Sequence, residues 1–143
     1  MVRVGRTKRE DPARAGRYRE VAQGFLKAAR DLGILADPKY GNGLAVAAIH
    51  AAIAYTDALT VAYGSVRSTD GDHSRAAEIL QQTLGHRADP GQVRRLEGIL
   101  DAKTHASYSG VYYRLEEGMN ILQELESYVV WAEETYQKRP SAS

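Results

Sequence analysis

The chain of 143 residues predicts an all-α fold, an up-and-down bundle of four to five helices. Three observations carry that prediction. Apolar residues recur at helical spacing in one stretch after another, separated by Gly, Pro and Asp breakers. Convincing strand alternation is missing throughout, Val111, Tyr112 and Tyr113 being a short candidate at most. The connections are short to moderate, which makes successive helices antiparallel neighbours.

The elements follow in order. Residues 1–10 read as a disordered basic tail. Asp11-Pro12 is a helix start, with Asp as cap and Pro in the first turn. Tyr18, Val21, Ala22, Phe25, Leu26, Ala29 and Leu32 then keep helical spacing up to Gly33. ILADPKYGN is a loop rich in breakers. Asn42 or Gly43 opens a second helix that ends at Gly64. It is apolar on every side, which places it in the middle of the bundle. SVRSTDGD is a polar connector. Asp72 caps a short third helix carrying Ala76, Ile79, Leu80 and Leu84, closed by Gly85. Asp89-Pro90 repeats the starting device of Asp11-Pro12. Val93, Leu96, Ile99 and Leu100 mark the fourth helix, which runs out between Ser107 and Gly110. The last helix starts around Tyr113, aligns Leu115, Met119, Leu122, Val129 and Tyr136, and stops before Arg139-Pro140. One domain over 11–138 is expected, with a loose tail at 139–143 and no internal repeat.

Composition narrows the function classes. The apolar fraction, 43%, is ordinary for a folded domain. Nineteen basic residues nearly balance 18 acidic ones, so no global electrostatic footprint for nucleic acid exists. The basic excess is local, at Arg3, Arg6, Lys8 and Arg9. Cysteine is absent, which excludes disulfides, thiolate chemistry and cysteine-ligated zinc. The N-terminus lacks the apolar segment of a secretory leader, and a cytoplasmic location is expected. Residues 43–64 approach membrane-span length, but His50, Thr56, Asp57 and Thr60 interrupt them. A central bundle helix is the expectation, with no membrane partner.

GLAVAAIHAAIAYTDALTVAYG, residues 43–64, therefore raises a question of its own. A helix turns about 100° per residue, so His50 and Asp57, seven apart, share one face. Ala47, Ala54 and Val61 lie on that face too, leaving room for another helix or a ligand. A buried carboxylate is costly without a partner. His50, His73, Lys103 and the Tyr108 hydroxyl are candidates, and a satisfied polar cluster that sets helix register is the alternative to a functional site. His50, Asp57, His73 and His105 are ligand types, but no compact spacing such as HExxH links them, so no metal and no cofactor is expected. His73 follows Asp72 and fits either the first turn of a helix or the mouth of a site. LDAKTHASYSG, residues 100–110, gathers Lys103, His105 and Tyr108 where a helix gives way to a loop. His105 suits a general base near neutral pH, or simply a cation favoured at a helix C-terminus.

HAAIAYTDALTVAYG, DHSRAAEIL, LEGILDAKTHASYSG and a final helix ending in VVWAEE, in this order over residues 15–138, resemble the HEPN superfamily (higher-eukaryote and prokaryote nucleotide-binding domain). Small stand-alone bacterial members are the nearest in pattern. The resemblance implies a helical bundle that dimerises. Many members are metal-independent ribonucleases, several being toxins paired with a nucleotidyltransferase antitoxin. Their hallmark is an Arg followed, after four to six residues, by a His. Here Lys103 stands at the Arg position and Tyr108 about at the His position, while His105 falls too early. Lysine lacks the bidentate fork of arginine, and tyrosine is a poor base at neutral pH. The catalytic pair is thus not carried over. What the resemblance implies is a location, with Asp57, His73, Lys103 and Tyr108 converging on one cleft or dimer seam.

The expected function is a divergent, non-catalytic binding and interaction module that forms a homodimer. Tyr112, Tyr113, Tyr128 and Trp131 suggest more apolar surface than one small bundle buries. A toxin–antitoxin or nucleotidyltransferase-associated setting follows from the resemblance, with RNA a weaker partner. The alternative is a metal-independent endoribonuclease, with His50, His73 or His105 as base and Lys103 as phosphate anchor. A third reading is a regulatory or substrate-binding subunit for a nucleotidyltransferase.

Overall fold

In the computed structural model, residues 6–69, 75–107 and 112–141 are described, the side chains of 103–107 excepted. They form an all-α bundle with one small strand pair. The elements are β1 (Thr7–Arg9), α1 (Ala15–Leu35), α2 (Gly41–Gly64), β2 (Val66–Ser68), α3 (Ala76–Leu84), α4 (Pro90–Ser107) and α5 (Leu115–Gln137).

Helix α2 is the axis of the molecule. Helices α1, α3, α4 and α5 all pack against it, and every residue from Ala51 to Ala62 is buried. Its alanines let neighbouring backbones approach. Leu44, Ile49 and Leu59 fill the gaps together with Leu80, Leu96 and Leu125 from the surrounding helices, all essentially fully buried. Each such side chain contributes about 1.5–3 kcal/mol. The stretch Pro38–Gly64 is long and apolar enough to cross a membrane, but 89% of its most apolar window is covered by the rest of the chain. It is the core helix of a bundle.

Three Asp-Pro pairs start helical segments, and each aspartate accepts a backbone N–H. Asp11 takes that of Ala13 at 2.9 Å, Asp37 that of Lys39 at 3.0 Å and Asp89 that of Gln92 at 3.0 Å. Asp37-Pro38 sits inside the stretch expected to be loop. It opens a tight turn, Pro38–Tyr40, that runs directly into α2.

Helix α1 passes the expected stop at Gly33 and ends at Leu35. Ala36, in the left-handed region at φ 53°, donates its N–H to the Leu32 carbonyl. Gly33 serves packing instead, since a Cβ there would lie 2.9 Å from the Met119 sulfur. At Gly41 a Cβ would come within 2.0 Å of the Tyr113 carbonyl oxygen, so only glycine allows α2 to start against the approach to α5. Asn42 fastens the same junction by accepting the Tyr113 N–H at 2.8 Å.

Part of the N-terminal segment expected from its composition to be disordered forms a strand, Thr7–Arg9. β1 pairs antiparallel with β2, with Thr7 opposite Ser68, Lys8 opposite Arg67 and Arg9 opposite Val66. The pair is extended by Glu10 N–H to the Ser65 carbonyl at 2.8 Å and Thr69 N–H to the Arg6 carbonyl at 2.9 Å. A strand partner some 60 residues away satisfies backbone groups that a reading of local composition leaves to water. Ser65, left-handed at φ 56°, turns the chain out of α2 and into β2.

Candidate functional site

Asp57 lies on α2 and is only 6% exposed. Burial pushes its carboxyl up to about 7, while the Arg67 guanidinium pulls the other way. Arg67 comes from β2, just beyond the end of the same helix. Its Nε is buried and makes no hydrogen bond among the described residues, and the same holds for the Oγ of neighbouring Ser68, a residue 2% exposed.

Arg67 has a second carboxylate in reach. Its Nε stands 3.6 Å from Oε1 of Glu10, whose side chain is 9% exposed. Glu10 also accepts the Tyr18 hydroxyl from α1 at 2.5 Å and lies 3.6 Å from Arg14. The Tyr18 hydrogen bond holds the Glu10 carboxyl below its usual range, and the nearby cations help. Burial, reinforced by Glu10, pushes Tyr18 up. The Arg67 guanidinium lies over the Tyr18 ring, 5.7 Å from its centre.

From the other side comes Tyr128 of α5, fully buried. The Thr56 hydroxyl donates its proton to the Ala52 carbonyl at 2.8 Å, so Tyr128 is the donor in its 2.7 Å bond to Thr56. Burial raises the Tyr128 phenol, and the nearby Asp57 charge adds to the effect. The Thr60 hydroxyl bonds to the Asp57 carbonyl at 3.3 Å. Among the described residues, Arg67, Tyr18 and Tyr128 are thus groups electrostatically coupled to Asp57.

His50 faces a different neighbour. Its ring stacks on Phe25 of α1 with centres 5.3 Å apart and planes 28° from parallel. Among the described residues, the cation that bears on the Asp57 carboxyl is Arg67. Phe25 is 37% exposed and Val21, one turn earlier, is 52% exposed. Together they form an apolar ridge beside a partly exposed imidazole.

Tyr55 has a structural explanation. Its hydroxyl donates to Glu133 at 3.0 Å, and Arg19 grips the same carboxylate at 2.7 and 2.9 Å. This ties α1, α2 and α5 together. Burial and then Glu133 push Tyr55 up, while hydrogen bonds from Arg19 and Tyr55 outweigh burial and draw Glu133 down.

The expected convergence of Asp57 with His73, Lys103 and Tyr108 concerns residues beyond this description. His73 and Tyr108 lie outside the described residues. Lys103 and His105 fall on the last turns of α4, with their side chains outside the described ones. Arg67 is the partner that sequence reasoning missed. It lies in a connector whose polarity suggested solvent, and its only sequence signal is its nearness to the end of an Asp57-bearing helix. Among the described residues, no group of three or more histidines and carboxylates could hold a metal ion. Two shallow hollows, of about 260 and 190 Å³, lie elsewhere. Pro12, Ala62, Gln137 and Arg139 help line the first, and Tyr63, Arg87, Thr135 and Lys138 line the second.

The aromatic residues are largely covered within the single chain. Tyr128 is buried against Trp131, ring centres 5.6 Å apart, and Tyr113 is half-buried, whereas Tyr112 is 62% exposed. No protein-family model, curated protein or solved structure matches this chain.

Chemically, the Asp57 carboxyl is a buried acid whose proton affinity burial raises. Asp57 itself is 6% exposed. The open chemistry lies on the ridge of Val21, Phe25 and His50.

Proposed function

We propose that this chain is a divergent HEPN-like helical bundle acting as a non-catalytic binding and interaction module. It works as a homodimer, and its further partner is a nucleotidyltransferase-type protein. The observation that carries this reading is the ridge on α1. Val21 and Phe25, one helical turn apart, are large apolar side chains exposed at 52% and 37%, and His50 stacks on the second. An exposed apolar ring braced by an imidazole is suited to cover by another protein surface. The replacement of the ribonuclease pair by Lys103 and Tyr108 argues in the same direction.

Light scattering at micromolar concentration tests the dimer. The wild-type chain is expected at twice the monomer mass, with Phe25→Glu shifted toward monomer and its helical circular dichroism kept. A wild-type protein that is only monomeric refutes the proposal. Incubation with varied single-stranded RNAs tests the catalytic alternative. Cleavage lost in both Lys103→Ala and His105→Ala would establish a ribonuclease in place of a binding module.

A further inference from the structure

We propose that the hollow between the ends of α2 and α5 is an oxyanion site that takes a phosphoryl group, with Arg87 and Lys138 as its cations. It shares no residue with the ridge on α1, so the binding-module reading is independent of it.

Three separate parts of the chain build the hollow, which holds about 190 Å³. Tyr63 comes from the last turn of α2, Arg87 from the turn Gly85–Arg87 behind α3, and Thr135 and Lys138 from the end of α5. One wall is pinned, because the Tyr63 hydroxyl donates to the Thr135 carbonyl at 2.7 Å. The Arg87 guanidinium lies over the Tyr63 ring, 5.8 Å from its centre. Burial raises the Tyr63 phenol against the pull of Arg87 and Arg139, so the hydroxyl keeps its proton and its role as donor.

The two cations are uncommitted. Arg19, Arg30 and Arg95 each pair with a carboxylate of α5. Among the described residues, neither Arg87 nor Lys138 forms an ion pair. Asp89, just beyond Arg87, accepts the Gln92 N–H at 3.0 Å instead, and Glu134, one turn before Lys138, is exposed and does not pair with it.

A helix C-terminus ordinarily repels an anion through its free carbonyls. Here two of the last ones are taken. The Thr135 carbonyl accepts the Tyr63 hydroxyl at 2.7 Å and the Lys138 N–H at 3.2 Å. The Tyr136 carbonyl accepts the N–H and Nη1 of Arg139, each at 3.1 Å. Arg139 also lines the adjoining hollow with Ala62, the residue before Tyr63, and so adds to the positive charge at this end of the bundle.

Size and chemistry choose the ligand. A guanidinium fork matches two oxygens of a tetrahedral oxyanion, and an ammonium adds a point charge. The volume of about 190 Å³ is below the roughly 300–1,000 Å³ of sites that enclose whole small molecules. It suits a phosphoryl group, as free phosphate or as the end of a larger molecule that stays in solvent. Both cations are exposed, so the anion reaches them without any opening of the bundle.

NMR titrations of the full chain at fixed ionic strength test this, with inorganic phosphate, methyl phosphate and chloride as probes. Inorganic phosphate is expected to shift the Arg87 Nε–Hε resonance and the Lys138 amide along one saturable curve, and chloride is not. Arg87→Gln and Lys138→Gln should each weaken binding about two- to fivefold, the range of an exposed ion pair. Arg17→Gln, a change to an exposed arginine on α1, should leave it unaltered. Helical circular dichroism checks that the variants fold. Equal or higher affinity for methyl phosphate assigns the site to the phosphoryl end of a larger ligand, and a preference for inorganic phosphate assigns it to the free ion. Shifts that chloride reproduces, that fail to saturate, or that keep full affinity in both variants overturn the proposal.

Discussion

Replacing Asp57 by asparagine isolates the cost of hiding a carboxylate. In the folded chain its carboxyl is raised from 3.8 to about 7. Each tenfold change in proton affinity is worth about 1.36 kcal/mol, so a rise of this size amounts to about 4 kcal/mol. The sign follows from linkage. A raised carboxyl favours the folded state fully below the unfolded value. As pH climbs, the unfolded chain releases its proton first, and stability drains away until the folded carboxyl also ionises near 7. Above that point the penalty is constant. Asparagine keeps the shape and never ionises. The variant should match or slightly trail the parent near pH 4 and exceed it near pH 8 by up to about 4 kcal/mol, a figure in which the opposing Arg67 attraction is already included. Urea unfolding of both proteins at several pH values measures this directly. A stability difference that does not change with pH, or a variant weaker than the parent at pH 8, would refute the reasoning.

Three further sets of substitutions probe the scaffold. Gly41→Ala drives a methyl to within 2.0 Å of the Tyr113 carbonyl and should cost about 1–3 kcal/mol, whereas Gly24→Ala meets nothing within 4 Å on α1 and should add about 0.5–1 kcal/mol, both read by thermal unfolding. Arg19→Ala leaves Glu133 with Tyr55 alone among the two partners that bind it most closely, and should lower stability by about 1–2 kcal/mol, the loss shrinking in high salt. Asp89→Ala removes the acceptor for Gln92 N–H at the start of α4 and should cost about 1 kcal/mol in the same assay, with the helical signal retained.

Much of the architecture was readable from residue order. The helical spacing in α1, the uninterrupted apolarity of α2 and the Asp-Pro starts at 11–12 and 89–90 all rest on local rules. Such signals act within one or two turns, and the fold follows them. The same local rules misplace what depends on distant neighbours. Gly33 has the look of a helix stop but makes room for Met119, and Asp37-Pro38 lies in a stretch that resembles loop while capping the turn into α2.

The chain alone determined that Asp57 would be buried, because a helix apolar on all sides has nowhere else to put it. Only the tertiary structure decided its company. Arg67 brings its charge to bear on it from β2, into which the left-handed Ser65 turns the chain, and Glu10 comes within 3.6 Å of Arg67 because β1 pairs with β2 across the length of α1 and α2. Burial is a property of a helix's own composition, whereas the pairing of charges depends on which remote backbones complete each other's hydrogen bonds.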